Sequence, residues 1–358
     1  MSPWLSLVVV LIAFHALAAV VNGPFIQSLD ILARRLKLPG SVAGATLLAF
    51  GTSAPEISTA LVALFADGAA PAIGVGSIVG SAIFQLLVVV GYAATVRPAT
   101  LDWRPVVRDC AFYALSIVLL LLCVRDDRFT LGEASVMVGA YLVYLGVMWL
   151  WTRSVVEEEG VEVEPAASPS NAPVGLARRL LLVVTLPVDA LLRLIPDPRQ
   201  DERWTLPVFM LSLGIIGFAC YELVIAAQVI AEALSVPPAI IALTLLAGGS
   251  SIPELVSSAT VSRQGRGGMA IANAIGSNTF DVLMSLGFPV LLFCLMHGDL
   301  EGLGGATMTS SILVLFVTLV LMLGLLAALR FRVGRAMGAS LILLYVVYVV
   351  AAYLGWMG

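Results

Sequence analysis

Ten long runs of apolar residues, separated by short polar stretches, organise this chain. They fall at 3–28, 39–65, 71–96, 105–124, 130–152, 205–234, 237–261, 268–296, 304–328 and 335–357. Each is near or above the ~20 residues an α-helix needs to cross a bilayer. The first, within MSPWLSLVVVLIAFHALAAVVNG, has no basic residue ahead of it and is long for a signal-peptide core, so an uncleaved span is expected. One stretch breaks the pattern, 153–204. It opens with EEEGVEVEPAASPSNAP, acidic and rich in Pro and Ser, which predicts a flexible linker. The more apolar piece that follows, starting near Arg178 and Arg179, mixes leucines with arginines and predicts a helix lying along the membrane surface. The chain thus divides into a five-helix half at 1–152, a cytoplasmic linker at 153–204 and a second five-helix half at 205–358. The expected fold is an all-α polytopic membrane protein with ten transmembrane helices.

Composition agrees with that reading and excludes others. Residues of the AVILMFWYC set make up 60% of the chain, charged residues only 12%, and the mean hydropathy is +1.03. A soluble domain carries about a quarter charged residues, and a disordered chain needs low hydrophobicity. The net charge of -4 adds little, but charge placement adds much. With loops numbered alternately, 17 of the 19 basic residues fall on one side, and only Arg125 and Arg128 on the other. The positive-inside rule makes the rich side cytoplasmic, with both termini outside. Short loops point to a prokaryotic inner membrane. The partners expected are inorganic cations and the lipid bilayer; no basic domain is left for nucleic acid, and a monomer should suffice. Two histidines and four scattered cysteines offer no metal-binding spacing and little for catalysis, so an enzyme is not expected.

The most informative feature is an internal repeat. GATLLAFGTSAPE at 44–56 matches ALTLLAGGSSIPE at 242–254, sharing Thr46/Thr244, Ala49/Ala247, Gly51/Gly249, Ser53/Ser251, Pro55/Pro253 and Glu56/Glu254. GSAIFQLLVVVG at 80–91 then matches GSNTFDVLMSLG at 276–287. The copies lie five spans apart, an odd number, so the second half should be inverted in the membrane. Inverted repeats with interrupted helices meeting at the midplane are a secondary-transporter arrangement.

These blocks carry oxygen chemistry. Glu56 and Glu254 lie well inside their spans, with no Lys or Arg in a neighbouring span to pair with. An intramembrane carboxylate must then be protonated, hydrogen-bonded or bound to a cation. Pro55 and Pro253 interrupt each helix immediately before the acid. The interruption frees carbonyls near Ala49, Phe50, Ala247 and Gly248, and Thr52, Ser53, Ser250 and Ser251 add hydroxyls, which favours the cation. In the third span of each half, Ser81 and Gln85, and Ser277 and Asp281, share a helix face at i,i+4 spacing. Gly80 and Gly276 allow close packing beside them. Such an all-oxygen set suits a hard cation such as Ca²⁺, which takes six to eight oxygens. With three carboxylates ionised, one Ca²⁺ leaves a charge of -1, which K⁺ or a retained proton would neutralise. Glu222, in the sixth span, is a separate candidate for an interhelical bond or a proton path. Asn22, Gly23 and Pro24 predict a flexible point near the end of the first span.

AFGTSAPE with VGSAIFQ, and AGGSSIPE with GSNTFD, resemble the two alpha-repeats of the cation/Ca²⁺ exchanger superfamily, the sodium/calcium exchangers and their relatives. The stretch TLPVDALLRLIPDPRQDERW looks most like the potassium-dependent branch. The resemblance implies an antiporter that exchanges Na⁺ for Ca²⁺ by alternating access, with K⁺ as a further transported ion. It implies a Ca²⁺ site at Glu56 and Glu254 flanked by Na⁺ sites, with Ala49, Thr52, Ser53, Ser81, Ala247, Ser250, Ser251 and Ser277 around the ions. Asp281 stands where potassium-dependent members carry an aspartate linked to K⁺, although some potassium-independent members also have an acid there. Gln85 departs from the family's usual Asn by one methylene. The first and sixth spans would slide across a core of the second, third, seventh and eighth. The alternative is H⁺/Ca²⁺ exchange on the same carboxylates.

Overall fold

The computed structural model describes residues 2–35, 49–66, 71–154, 186, 188–263, 267–303 and 305–354. Of the predicted surface piece from Arg178 onward, residues 186 and 188–204 are described and 188–192 are helical; its earlier part, the acidic run from Glu157 and the first part of the second span, with Thr46, lie outside the described residues. In chain order the helices of the first half are α1 (Pro3–Val20), α2 (Ile26–Arg35), α3 (Ala49–Thr52), α4 (Ala54–Phe65), α5 (Pro71–Phe84), α6 (Val90–Val96), α7 (Trp103–Val124) and α8 (Leu131–Ser154). The second half has α9 (Thr205–Leu234), α10 (Pro238–Ile241), α11 (Ala247–Ser250), α12 (Ile252–Arg263), α13 (Gly267–Phe280), α14 (Gly287–His297), α15 (Gly305–Ala328) and α16 (Arg335–Tyr353). Among the described residues, nine helical stretches are long and apolar enough to cross a membrane. The predicted second span is described only as the shorter Ala54–Phe65 and the turn before it. Helices dominate because lipid offers no partner to backbone N–H and C=O groups, which must bond within the segment.

Four two-residue strands in the loops report the relation of the halves. They are β1 (Ala99–Thr100), β2 (Arg128–Phe129), β3 (Leu300–Glu301) and β4 (Arg332–Val333), pairing as β1 with β4 and β2 with β3, both antiparallel. A single crossing, α7, separates β1 from β2, so these two lie on opposite membrane faces. In the second half β3 holds the place of β1 and β4 the place of β2. Each strand therefore pairs with the counterpart of the other, which requires the second half to be inverted. An ion pair between Arg128 and Asp299 reinforces the β2–β3 side. Asp127, at φ 56°, and Phe331, at φ 58°, form matching turns ahead of β2 and β4.

Side-chain placement separates core from lipid-facing helices. Every residue of α5 from Ile73 to Phe84 is buried, whereas α7, α9, α15 and α16 expose Leu115, Leu122, Phe218, Leu321, Leu343 and Val347. Glycine and serine in GVGSIVGSAIF let α5 sit at the centre. A Cβ on Gly80 would lie 2.3 Å from the Leu243 carbonyl oxygen and 2.6 Å from Ala247 Cβ. Outside this core, α1 and α9 run along each other. The segment 21–25 widens into π-type bonding around Pro24, with Gly23 out of helical geometry at φ -114°, ψ -112°. The flexible point predicted at Asn22–Pro24 is therefore a kink joining α1 to α2. Arg35, at the end of α2, bonds the Glu202 carboxylate at 3.0 Å and its carbonyl at 2.9 Å, tying the two outer helices at one face.

Candidate cation-binding site

The two repeat blocks break their helices at matched residues with nearly identical geometry. Ser53 sits at φ -90°, ψ 8° between α3 and α4, and Ser251 at φ -87°, ψ 7° between α11 and α12. Proline at the second helical position then starts each new helix, where its missing N–H costs nothing. Glu56 and Glu254 fall in the first turn of α4 and α12, so each carboxylate sits at the electropositive end of a helix. The preceding short helices, α3 and α11, direct their carbonyl ends at the same breaks. The Ala247 carbonyl receives the Ser251 N–H at 3.3 Å and the Ser250 hydroxyl at 3.3 Å.

The acids are deep and poorly satisfied. Glu56 is 0% and Glu254 3% exposed. Ser251 donates to Glu56 Oε1 at 3.5 Å, and this bond joins the two repeats. Among the described residues, Glu56 Oε2 and both carboxylate oxygens of Glu254 have no hydrogen-bond partner. The Ser53 hydroxyl is buried beside the Asp281 carboxylate. The charges of Glu56, Glu254 and Asp281 act on one another, so the three acids share one region. Unpartnered buried oxygens are costly in a low-dielectric interior unless an ion or proton completes them. Among the described residues no three His, Cys, Asp or Glu side chains gather closely enough to cage a metal. A cation here would draw most of its ligands from hydroxyls and carbonyls around the glutamate pair.

The third-span residues are arranged differently. Gln85 and Asp281, each the first residue of a π-type turn (Gln85–Val89 and Asp281–Leu286), face one another across the two halves. Gln85 Nε2 donates to Asp281 Oδ2 at 3.0 Å, and Ser277 Oγ donates to Gln85 Oε1 at 3.0 Å. Ser285 donates to Asp281 Oδ1 at 3.4 Å. Ser81 turns back to the Ile78 carbonyl at 3.0 Å, and Asn278 to the Ala274 carbonyl at 2.7 Å. Thr52, Ser53, Ser81, Gln85, Ser250, Ser251, Ser277 and Asp281 are all buried, and of these Ser251 bonds Glu56 while Gln85 and Ser277 bond within the Asp281 cluster. Ala49 is helical, and its side chain lies outside the described residues.

Some contributors escaped sequence reasoning. Ser285 lies four residues beyond Asp281, a spacing that would have revealed it. Tyr113, on α7, is fully buried, and its hydroxyl has no partner among the described residues. Phe14 lies over Gly249, where a Cβ would come within 1.8 Å of its ring. Cys220 Sγ on α9 meets the Pro55 carbonyl at 3.4 Å. Both outer helices therefore touch the helix breaks. Glu222 is half-buried beside the exposed Tyr221 on α9, apart from this cluster. His15 bonds Asp189 of the linker at 2.7 Å.

The sequence family described as sodium/calcium exchanger protein matches residues 6–150 and 204–354. Nckx30C, a sodium/potassium/calcium exchanger of Drosophila melanogaster, is 23% identical and aligns with 96% of this chain and 60% of its own length. The chain thus spans less than two thirds of that relative. Human sodium/potassium/calcium exchanger 5 is 28% identical over 78% of this chain and 69% of its own length. The sodium-calcium exchanger NCX_Mj superposes with a TM-score of 0.58 at 24% identity, covering 98% of this chain and 99% of its own. The H⁺/Ca²⁺ exchanger CAX superposes with a TM-score of 0.69 at 14% identity, over 96% and 82%. At these identities the structural likenesses establish the fold.

Proposed function

Because the chain belongs to the sodium/calcium exchanger protein family, we propose that it is a secondary active antiporter that moves Na⁺ against Ca²⁺ by alternating access. The observation carrying this reading is the pair of buried glutamates at matched helix breaks, three of whose four carboxylate oxygens lack a partner among the described residues. Ca²⁺ would neutralise both acids at once, drawing further oxygens from Thr52, Ser53, Ser250, Ser251 and the carbonyls of Ala49 and Ala247. Na⁺ ions would take the same oxygens singly, with Ser81 at one flank. Because either load offsets the glutamate charges, the loaded forms can cross the barrier while the empty form is held back. α1 and α9, which lie on each other and on the two breaks, are the moving pair, and the kink at Gly23 and Pro24 gives α1 its bend. The names of the relatives extend the cation set to K⁺, which makes K⁺ a further transported ion to test.

The count of ten spans also belongs to this reading. The second-half stretch Pro238–Arg263 is long and apolar enough to cross a membrane, and its first-half counterpart in the repeat would supply the tenth span. Both termini would then face outward, with 153–204 in the cytoplasm. An R125C variant should label with an impermeant thiol reagent from outside, and R97C only after permeabilisation. The four native cysteines are buried and keep the background low. The reverse pattern would invert the orientation.

The defining measurement is Ca²⁺ uptake into proteoliposomes loaded with Na⁺, with external Na⁺, K⁺ and pH varied independently. Uptake that requires the outward Na⁺ gradient is the expected result. Uptake indifferent to Na⁺ but collapsing with the pH gradient would replace Na⁺ by H⁺ on the same carboxylates.

A further inference from the structure

The buried acids of this site are in two chemical states. Among the described residues, neither oxygen of Glu254 has a hydrogen-bond partner. Asp281, equally buried, has both: Oδ2 accepts from Gln85 and Oδ1 from Ser285. Hydrogen bonds from neutral donors stabilise a buried carboxylate without a counter-ion, whereas an unbonded one must recruit a cation or a proton. The orientation of the Gln85 amide follows from its neighbours. An ionised carboxylate only accepts, so the NH₂ group must face Asp281, and the carbonyl is left for the Ser277 proton. Both ends of the amide are engaged, and its NH₂ group holds Asp281 Oδ2.

The geometry points to Gln85 as the residue that sets how many monovalent cations accompany each cycle, because it clasps Asp281 and Ser277 and withholds them from the ions. This inference rests on the exchanger reading above. Gln85 reaches from the first repeat to two residues of the second, holding 3.0 Å bonds to each. A side chain one methylene shorter, by about 1.5 Å, cannot keep both. Its loss frees the Asp281 carboxylate and the Ser277 hydroxyl together, an anionic and a neutral oxygen that suit one additional Na⁺ or K⁺.

Coupling is read in proteoliposomes at a membrane potential clamped to zero. The Ca²⁺ gradient at which net flux vanishes is plotted logarithmically against the Na⁺ gradient, then against the K⁺ gradient at fixed Na⁺. The two slopes together give the number of monovalent cations per Ca²⁺. Q85N is expected to raise that sum by one over wild type. Q85A, which deletes the amide, should do the same and serves if Q85N does not reach the membrane. An unchanged or smaller sum in either variant overturns the clasp while leaving the exchanger intact. Wild-type Ca²⁺ flux with no dependence on the Na⁺ gradient overturns the exchanger reading, and this inference with it. A merely structural role for Gln85 would change rates and yield but not these slopes.

Discussion

E254Q should reach the membrane in wild-type amounts and take up no Ca²⁺ above the liposome background. Glutamine has nearly the same shape as glutamate, and Glu254 makes no hydrogen bond among the described residues, so the substitution breaks none. Replacing a buried charge by a neutral amide also lowers the desolvation cost of folding. On the exchanger reading, what disappears is one of the two charges that would hold a divalent cation here, and an NH₂ group replaces an oxygen that would face it. Removing one partner of a buried charge pair costs about 3–5 kcal/mol, roughly two to three and a half powers of ten in affinity at about 1.4 kcal/mol per decade. E56Q should behave similarly, although it also disturbs the bond from Ser251. Uptake by E254Q at the wild-type rate, with matched protein in the vesicles, would remove the glutamate pair from the mechanism.

The parts of this site written in the sequence are those where residue type alone dictates geometry. Proline beside an acid, twice, inside a long apolar run leaves few structural solutions, and the two breaks fall at Ser53 and Ser251, two residues before the prolines. The inversion of the halves followed from counting spans, and the pairing of β2 with β3 and β1 with β4 bears it out. Other features depend on contacts between segments far apart in the chain. Nothing in QLLVV or DVLMSL announces a π-type turn, and i,i+4 spacing placed Gln85 and Asp281 on helix faces without revealing that they bond each other. The difference between a glycine that matters and one that does not is equally invisible. A Cβ on Gly80 strikes backbone, whereas one on Gly214 or Gly217 meets nothing within 4 Å.

That contrast makes G80A the second severe substitution. Ala is a better helix former than Gly by about 1 kcal/mol, so on an isolated helix it would stabilise. Here its methyl would sit 2.3 Å from the Leu243 carbonyl oxygen and 2.6 Å from Ala247 Cβ. The first obstacle is backbone and cannot rotate away, so α5 and the 242–247 segment must separate. Overpacking of this kind costs roughly 1–3 kcal/mol, enough to reverse the propensity gain. The separation falls on the site itself: Gly80 adjoins Ser81, and Ala247 supplies the carbonyl that holds Ser250 and Ser251 at the second helix break. G80A should therefore lower the thermal midpoint of the detergent-solubilised protein and abolish Na⁺-driven Ca²⁺ uptake, while G214A, on the open face of α9, changes neither. Equal midpoints and equal uptake for G80A and wild type would mean that α5 does not cross the second repeat at this distance. Because the same contact positions the repeats and the ion ligands, stability and transport should fall together, whereas E254Q removes transport and leaves stability in place.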